Sequence, residues 1–461
     1  MKEIQIMKLY SNKENYTLYQ GNMLDMLEVI DLESIDSIVT DPPYGLTSIT
    51  KRFGKENSAE CQYGIDGSFQ RLSRGFMGKE WDGSGIEYNV ETWKKCYEVL
   101  KPGGYLLAFG GSRTFHRIAV AIEDAGFEIR DTIMWLYGSG FPKSMNLGLK
   151  MDKKQGCPDR GHRIAVANRH HPDGTLEPNG EKLPPYEPKT PLGEKWNGWG
   201  TALKPSFEPI IVARKPFKGS LVDNVIKNGV GGINIDECRV GNEERTQFSG
   251  RSQNKTTVYN SFNQENAHYE TVQGRFPANT ILTYDETDFD EVCGCFPNTK
   301  STYNINGKHE RVIHRNNADT LKYGYKTRID SSSYNDSGSA SRYFYCAKAS
   351  KKDRDEGLDS FNKEKVNDGR NTPIDNAFQR GETLRKNTHP TVKPTELMQY
   401  LIRLVTPQGG VILDPFNGSG STGKAVMYEN KEHNKNYKYV GIELSDEYLS
   451  ISQARIECIN K

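Results

Sequence analysis

The chain has 461 residues, enough for a large core domain together with a second domain or a long insertion. Only 35% of the residues are hydrophobic, the mean hydropathy is -0.74, and no apolar run approaches the roughly 18 residues of a membrane span or the length of a signal peptide. A soluble, cytoplasmic protein rich in polar loops is therefore expected. Lys and Arg number 61 against 60 Asp and Glu, and the net charge of +1 excludes a uniformly basic nucleic-acid binder while leaving room for a local basic patch.

In chain order, Met23, Leu24, Leu27 and Ile30 recur at helical spacing, and residues 35–39 resemble a short buried strand, which ends at Asp41. Residues 46–85 are polar, dotted with glycine and without period, which predicts a long loop of the kind that serves as a lid or binding segment. Residues 88–100 predict a helix closed by Lys101-Pro-Gly-Gly104, and residues 105–109 a buried strand. Ile118, Ala121, Ile122 and Ala125 line one face of a helix over 114–126, followed by a strand over 129–137. Strands alternating with helices predict an open α/β sheet.

From about 138 to 387 this rhythm lapses into Pro-, Gly- and Asn-rich sequence with short apolar runs at 208–213, 279–283 and 342–347. Between Lys300 and Lys352, eleven Lys and Arg face only four Asp and Glu, with tyrosines interleaved. Such a local excess suits a phosphate backbone, and Lys300, Arg311, Arg315, Lys322, Tyr325, Lys326 and Arg328 are the candidate DNA contacts. The eight cysteines lack the paired spacing of a zinc site, so reduced thiols and no metal are expected. Beyond 388 the rhythm resumes, with helices over 394–406, from 422 and over 446–458, and strands over 410–414 and 437–443.

Two motifs carry the chemistry. Val411-Ile-Leu-Asp414-Pro-Phe416-Asn417-Gly418-Ser-Gly420-Ser-Thr422-Gly423 is an apolar strand entering a glycine-rich turn and a helix, which lets backbone approach a nucleotide-like ligand. Gly418 to Lys424 has the spacing of a phosphate loop, but Ala425 stands where a hydroxyl would hold magnesium, which demotes an ATPase. Glu443, at the end of the next strand, can accept hydrogen bonds from both hydroxyls of a ribose. A dinucleotide site would share these features, yet Pro415 and Phe416 crowd the place where a pyrophosphate needs free N–H groups. S-adenosylmethionine, which has no phosphate, fits better, with Asp414, Phe416, Asn417, Gly418, Gly420, Thr422 and Glu443 as candidate cofactor contacts.

The second motif, Thr40-Asp41-Pro42-Pro43-Tyr44-Gly45, closes another core strand. A base amine has its lone pair delocalised into the ring, so its N–H groups must be held by acceptors while a methyl donor lies in line behind it. The Asp41 carboxylate and the Pro42 carbonyl can be those acceptors; Pro42 and Pro43 fix the backbone without competing N–H donors, and Tyr44 offers a face for an extruded base.

Together the two motifs resemble the β-group amino-methyltransferases of DNA, in which the catalytic half precedes a target-recognition region and then the cofactor half. The resemblance implies a doubly wound, mostly parallel, Rossmann-like sheet in permuted order: 1–150 as the catalytic half, 151–387 as the target-recognition region and 388–461 as the cofactor half. It also implies that His389-Pro-Thr-Val-Lys393-Pro394 packs on the methionine end of the cofactor, and that Tyr439 to Glu443 binds its ribose. Many relatives have Gly-Asp, for the cofactor adenine, where this chain has Gly21-Asn22, with Asp25 nearby. Segments such as Thr201 to Pro209, Gly274 to Asn279 and Ser341 to Lys348 are similar to those of phage and prophage methyltransferases.

The implied activity is direct methyl transfer to N6 of a flipped adenine in double-stranded DNA, without metal, in a bacterium or phage-infected host. A cognate restriction endonuclease is a candidate partner; the oligomeric state stays open. Cytosine N4 is the rival target, set second because its enzymes more often begin the tetrad with Ser; a catalytically silent DNA-binding regulator is the rival of another class.

Overall fold

The structure, a computed structural model, describes residues 8–45, 85–137, 144–157, 167–170, 176–179, 186–248, 269–284, 296, 298–300, 337–348, 351–366 and 383–460. Its centre is a ten-stranded sheet. The strands are β1 (Lys8–Asn12), β2 (Tyr16–Gln20), β3 (Ile35–Thr40), β4 (Leu100–Phe109), β5 (Glu128–Tyr137), β6 (Phe207–Arg214), β7 (Thr280–Tyr284), β8 (Tyr345–Lys348), β9 (Val411–Asp414) and β10 (Lys438–Glu443). Their spatial order is β1-β2-β10-β9-β3-β4-β6-β5-β7-β8. From β2 to β4 all neighbours are parallel, as are β5, β7 and β8, whereas β6 runs against both β4 and β5 and β1 against β2.

Helices cover both faces: α1 (Met23–Met26), α2 (Val90–Val99), α3 (Phe115–Asp124), α4 (Leu147–Lys154), α5 (Pro191–Lys195), α6 (Leu221–Asn228), α7 (Lys351–Asp355), α8 (Thr395–Val405), α9 (Ser421–His433) and α10 (Asp446–Glu457). The two-residue period of β4 divides its side chains between two cores. Tyr105, Leu107 and Phe109 join the core under α8, α9 and α10, while Leu106 and Ala108 join that under α1, α2 and α3. β3 is buried on both faces, and Ile35, Ile38 and Val39 made it legible at once. Its one carboxylate, Asp36, is used as a stitch: Oδ1 accepts from Lys101 Nζ at 2.6 Å and Oδ2 from the Val411 backbone at 2.8 Å, tying β4 and β9 to the strand between them.

Three differences from the sequence reading have local causes. Lys101-Pro-Gly-Gly104 does not close a helix but belongs to β4, which runs from Leu100 with a register shift opposite Ile35 to Ser37. A Cβ at Gly104 would lie 3.0 Å from the Asp36 carbonyl, so glycine lets the irregular strand pass close to β3. Second, β1 and β2 form an edge hairpin whose short, half-polar strands carry little apolar signal. Third, the three weak apolar runs of the long middle region become β6, β7 and β8, so that region completes the central sheet.

The loop expected at 46–84 lies outside the described residues, as do Arg311, Arg315, Lys322, Tyr325, Lys326 and Arg328. Lys300 ends a short strand, Asn298–Lys300, paired with Ser337–Ser339. No described helix is long and apolar enough to cross a membrane.

Candidate active site

Parallel strands leave their carboxyl ends along one edge of the sheet, and in a doubly wound fold ligands bind there. Asp41 follows β3, Asp414 ends the adjacent β9, and Glu443 ends β10 one strand further. Asn22 follows β2, next to β10, where Gly21 N–H donates to the Glu443 carbonyl at 3.0 Å. Both sequence motifs therefore open on one crevice.

The glycine-rich turn is held from within. Asp414, 2% exposed, accepts from Thr40 Oγ1 at 2.7 Å, from the Phe416 backbone at 3.1 Å and from Thr422 Oγ1 at 2.6 Å. Burial pushes its pKa up to about 6 even though those donors favour the charged form. Asn417 is equally committed, with Oδ1 accepting from the Tyr439 hydroxyl at 2.8 Å and from Ser452 Oγ at 3.2 Å. The polar groups of Asp414, Asn417 and Thr422 thus shape the turn. Gly418, at φ 52°, is the position where shape excludes a side chain: a Cβ would stand 2.9 Å from His389 Nε2. His389 is buried, its pKa driven down to about 3 by burial, and its Nδ1 lies 2.6 Å from the Thr391 carbonyl.

The turn is poorly disposed to hold a phosphate. Four of its N–H groups are spent internally: Phe416 on Asp414, Asn417 on the Ile442 carbonyl, Gly418 on Glu443 Oε2 and Gly420 on the Asn417 carbonyl. Lys424, the lysine of the apparent phosphate loop, is fully buried and pairs with Asp353 and, at 2.7 Å, with Glu356. The Glu443 carboxylate accepts backbone N–H groups from Gly418 at 2.8 Å, from Ser445 at 2.9 Å and from Leu444, within the roughly four acceptor sites that a carboxylate offers. Burial pushes its pKa up to about 7. Phe416 is half-buried and packs at 6.4 Å from Trp93. Asn22 caps α1, its side chain accepting from the Leu24 backbone at 3.0 Å, and Asp25 is exposed in the same turn.

At the tetrad, Pro42 and Pro43 are buried and the Tyr44 carbonyl is gripped by the Tyr88 hydroxyl and Thr114 Oγ1, both at 2.8 Å. Lys393 enters from the segment before α8, 352 residues away in sequence, and its Nζ lies 2.7 Å from Asp41 Oδ2. It also reaches the Tyr44 hydroxyl at 3.1 Å and Glu208 Oε2 at 3.3 Å. Lys393, anticipated among the cofactor contacts, therefore stands with the tetrad. The other oxygen, Asp41 Oδ1, is buried with no hydrogen-bond partner among the described residues. Trp135 is core, 8% exposed, with Nε1 donating to Thr283 Oγ1 at 2.8 Å and its ring packed edge-on against Phe109.

Sequence reading passed over Glu208, Tyr88 and Thr114. A lone acid opening an otherwise apolar run, Phe207-Glu-Pro-Ile-Ile-Val, was the available signal for the first; the other two carry none.

A mostly parallel sheet with one reversed strand in its interior and another at its edge, bearing an Asp-Pro-Pro-Tyr tetrad and an internally braced glycine turn at adjacent strand ends, is a methyltransferase architecture. Residues 35–454 match the N6/N4 family of DNA methylases, and the chain belongs to that family. Type II methyltransferase M.HindIII of Haemophilus influenzae is 27% identical over 236 residues, 47% of this chain and 64% of that protein. The chain thus covers less than two thirds of that relative's length. Type II methyltransferase M2.LlaDCHI of Lactococcus lactis subsp. cremoris is 26% identical over 245 residues, 49% of this chain and 82% of that one. Among solved structures, PvuII DNA methyltransferase (cytosine-N4-specific) aligns over 98% of this chain and 94% of its own at 12% identity and a TM-score of 0.38.

Proposed function

We propose that the protein is an S-adenosylmethionine-dependent DNA methyltransferase acting on the exocyclic N6 of an adenine turned out of a duplex. The observation that carries this reading is Asp41 Oδ1, a buried carboxylate oxygen with no partner among the described residues, at the rim of the crevice it shares with the glycine turn. An unsatisfied buried acceptor is costly, and an amine N–H is what would satisfy it. Acceptance of that N–H by Asp41 orients the amine, and the Tyr44 ring offers the stacking surface that a flipped base needs. In this reading 1–150 supplies the catalytic half, 151–387 reads the target and 388–461 holds the cofactor.

The donor set fits the proposed cofactor. A turn whose Phe416, Asn417, Gly418 and Gly420 N–H groups are already bonded suits a nucleoside that carries no phosphate, and the Glu443 carboxylate can accept ribose hydroxyls. Phe416 and Glu443 would hold it against the turn at Gly418 and Gly420. When bound, it supplies an electrophilic methyl group. Adenine is favoured over cytosine by the acid at the head of the tetrad.

Digesting DNA treated with the protein and labelled cofactor to nucleosides tests the whole reading: N6-methyladenine is the expected product. N4-methylcytosine as sole product overturns the base, and DNA binding without methyl transfer overturns the activity.

The raised pKa of Glu443 has a measurable consequence. The ionised carboxylate is the better acceptor, and with a pKa of about 7 its population rises roughly tenfold between about pH 6 and about pH 8. Cofactor affinity is therefore expected to rise by a similar factor over that range, by calorimetry. In Glu443→Gln the rise should vanish; a surviving rise would assign it to another group, of which Asp414, at about 6, is the neighbour.

A further inference from the structure

Glu208 belongs to neither motif, yet it completes the surroundings of the tetrad. Because β6 runs against its neighbours, its first residues, not its last, stand at the carboxyl ends of β4 and β5, and Glu208 pairs in register with Trp135. From there Glu208 Oε2 accepts from the Tyr44 hydroxyl at 2.8 Å and faces Lys393 Nζ at 3.3 Å. An ammonium has three N–H groups, and Asp41 Oδ2, the Tyr44 hydroxyl and Glu208 Oε2 are three acceptors for them. The rings of Phe109, Tyr44 and Trp135 enclose the same charge, with centroids at 4.9, 5.2 and 5.8 Å. Lys393 has a side chain only 7% exposed; burial opposes its charge, but the two carboxylates outweigh burial and hold its pKa above the ordinary value.

We propose that Glu208 is a positioning residue for methyl transfer: through Lys393 and the Tyr44 hydroxyl it holds Asp41 Oδ2 and the Tyr44 ring, so that Asp41 Oδ1 alone meets the base amine. The inference rests on the reading of Asp41 as the amine acceptor. With Asp41 Oδ2 at 2.7 Å and Glu208 Oε2 at 3.3 Å, two carboxylates share the ammonium and keep it from swinging onto Oδ1, where it would compete with the amine. Without the Glu208 charge the ammonium is free to lean on Asp41 alone, and the Tyr44 hydroxyl loses a charged acceptor. Neither change touches the glycine turn or Glu443. The loss should therefore fall on the transfer step and not on cofactor affinity.

The test uses the full chain, unmethylated genomic DNA and labelled S-adenosylmethionine under single-turnover conditions. Glu208→Gln keeps the shape and removes the charge; a rate lowered about tenfold or more is expected, with cofactor and DNA dissociation constants within about twofold of wild type. Combining it with Lys393→Met should add nothing to the loss caused by Lys393→Met alone, since both act through Asp41. A purely structural role predicts instead that the losses multiply and that affinities fall with them. If Glu208→Gln does not fold, Tyr44→Phe, which keeps the ring and removes the hydroxyl, should show the same selective fall in rate. Losses short of about tenfold, or losses that multiply, overturn the role of Glu208 while leaving the activity standing. An inactive wild type overturns the reading beneath it.

Discussion

Asp41→Ala is expected to lower methyl transfer by roughly 10²- to 10³-fold while leaving cofactor affinity within about twofold of wild type. The first part follows from geometry. Asp41 Oδ1 is the buried acceptor at the crevice with no described partner, and the substitution removes it together with the oxygen that Lys393 holds at 2.7 Å. The second part follows from where the proposed cofactor residues are: the turn is braced by Asp414, Asn417 and Thr422, and the acid proposed to meet a ribose is Glu443, none of which bonds to Asp41. Folding should survive, because Lys393 keeps Glu208 as a counter-charge and the Tyr44 hydroxyl as an acceptor. Turnover above about a tenth of wild type, some 1.4 kcal/mol of barrier, would contradict the assigned role. Unchanged thermal unfolding is the control that separates lost chemistry from lost structure.

The second large effect is on stability. Asp353, in α7, stands where α8, α9 and α10 converge. Its carboxylate caps α8 by accepting from the Thr395 backbone at 2.8 Å, accepts also from the Thr395 hydroxyl, and pairs with Lys424 of α9. Arg455 of α10, also fully buried, donates to the Asp353 carbonyl at 3.3 Å. Burial raises the cost of ionising Asp353, yet Lys424 and the Thr395 donors prevail and hold its pKa below the ordinary value. The sign for stability follows: this contribution is present above the usual carboxylate range and is lost as acid protonates the group.

Asp353→Ala leaves Lys424 buried with Glu356 as its remaining carboxylate and strips the cap from α8. A loss of about 3 kcal/mol is expected in denaturant unfolding at neutral pH. Adding Lys424→Met should recover part of it by removing the stranded charge. A loss under about 1 kcal/mol would show that Glu356 and water suffice for Lys424.

Much of this molecule was legible in its residues. Ile35, Ile38 and Val39 of β3, the period of α8 and the strand–turn–helix around Gly418 are local patterns set by neighbours a few positions apart, so they survive without tertiary context. The tetrad was legible for a related reason, since two prolines and an acid at a strand end constrain the backbone by themselves. Glu443 could be placed because one helix and one strand carry the chain from the glycine loop to it, and it bonds back to Gly418 of that loop.

What the amino-acid sequence determined by itself, then, was the presence of a doubly wound sheet, the two motifs at its strand ends, and membership in a recognisable class. Only the tertiary structure decided which polar atoms remain available there. Asp414, Asn417 and Thr422 turn theirs inward, and the lysine of the apparent phosphate loop is drawn into the Asp353 cluster. Lys393 and Glu208 meet Asp41 and Tyr44 across separations of 352 and 164 residues. The physical reason is that a charged side chain's partner is set by strand order and direction. Reversing β6 brings Glu208 to the crevice; a parallel strand would have carried it to the opposite edge of the sheet. No local period encodes that direction.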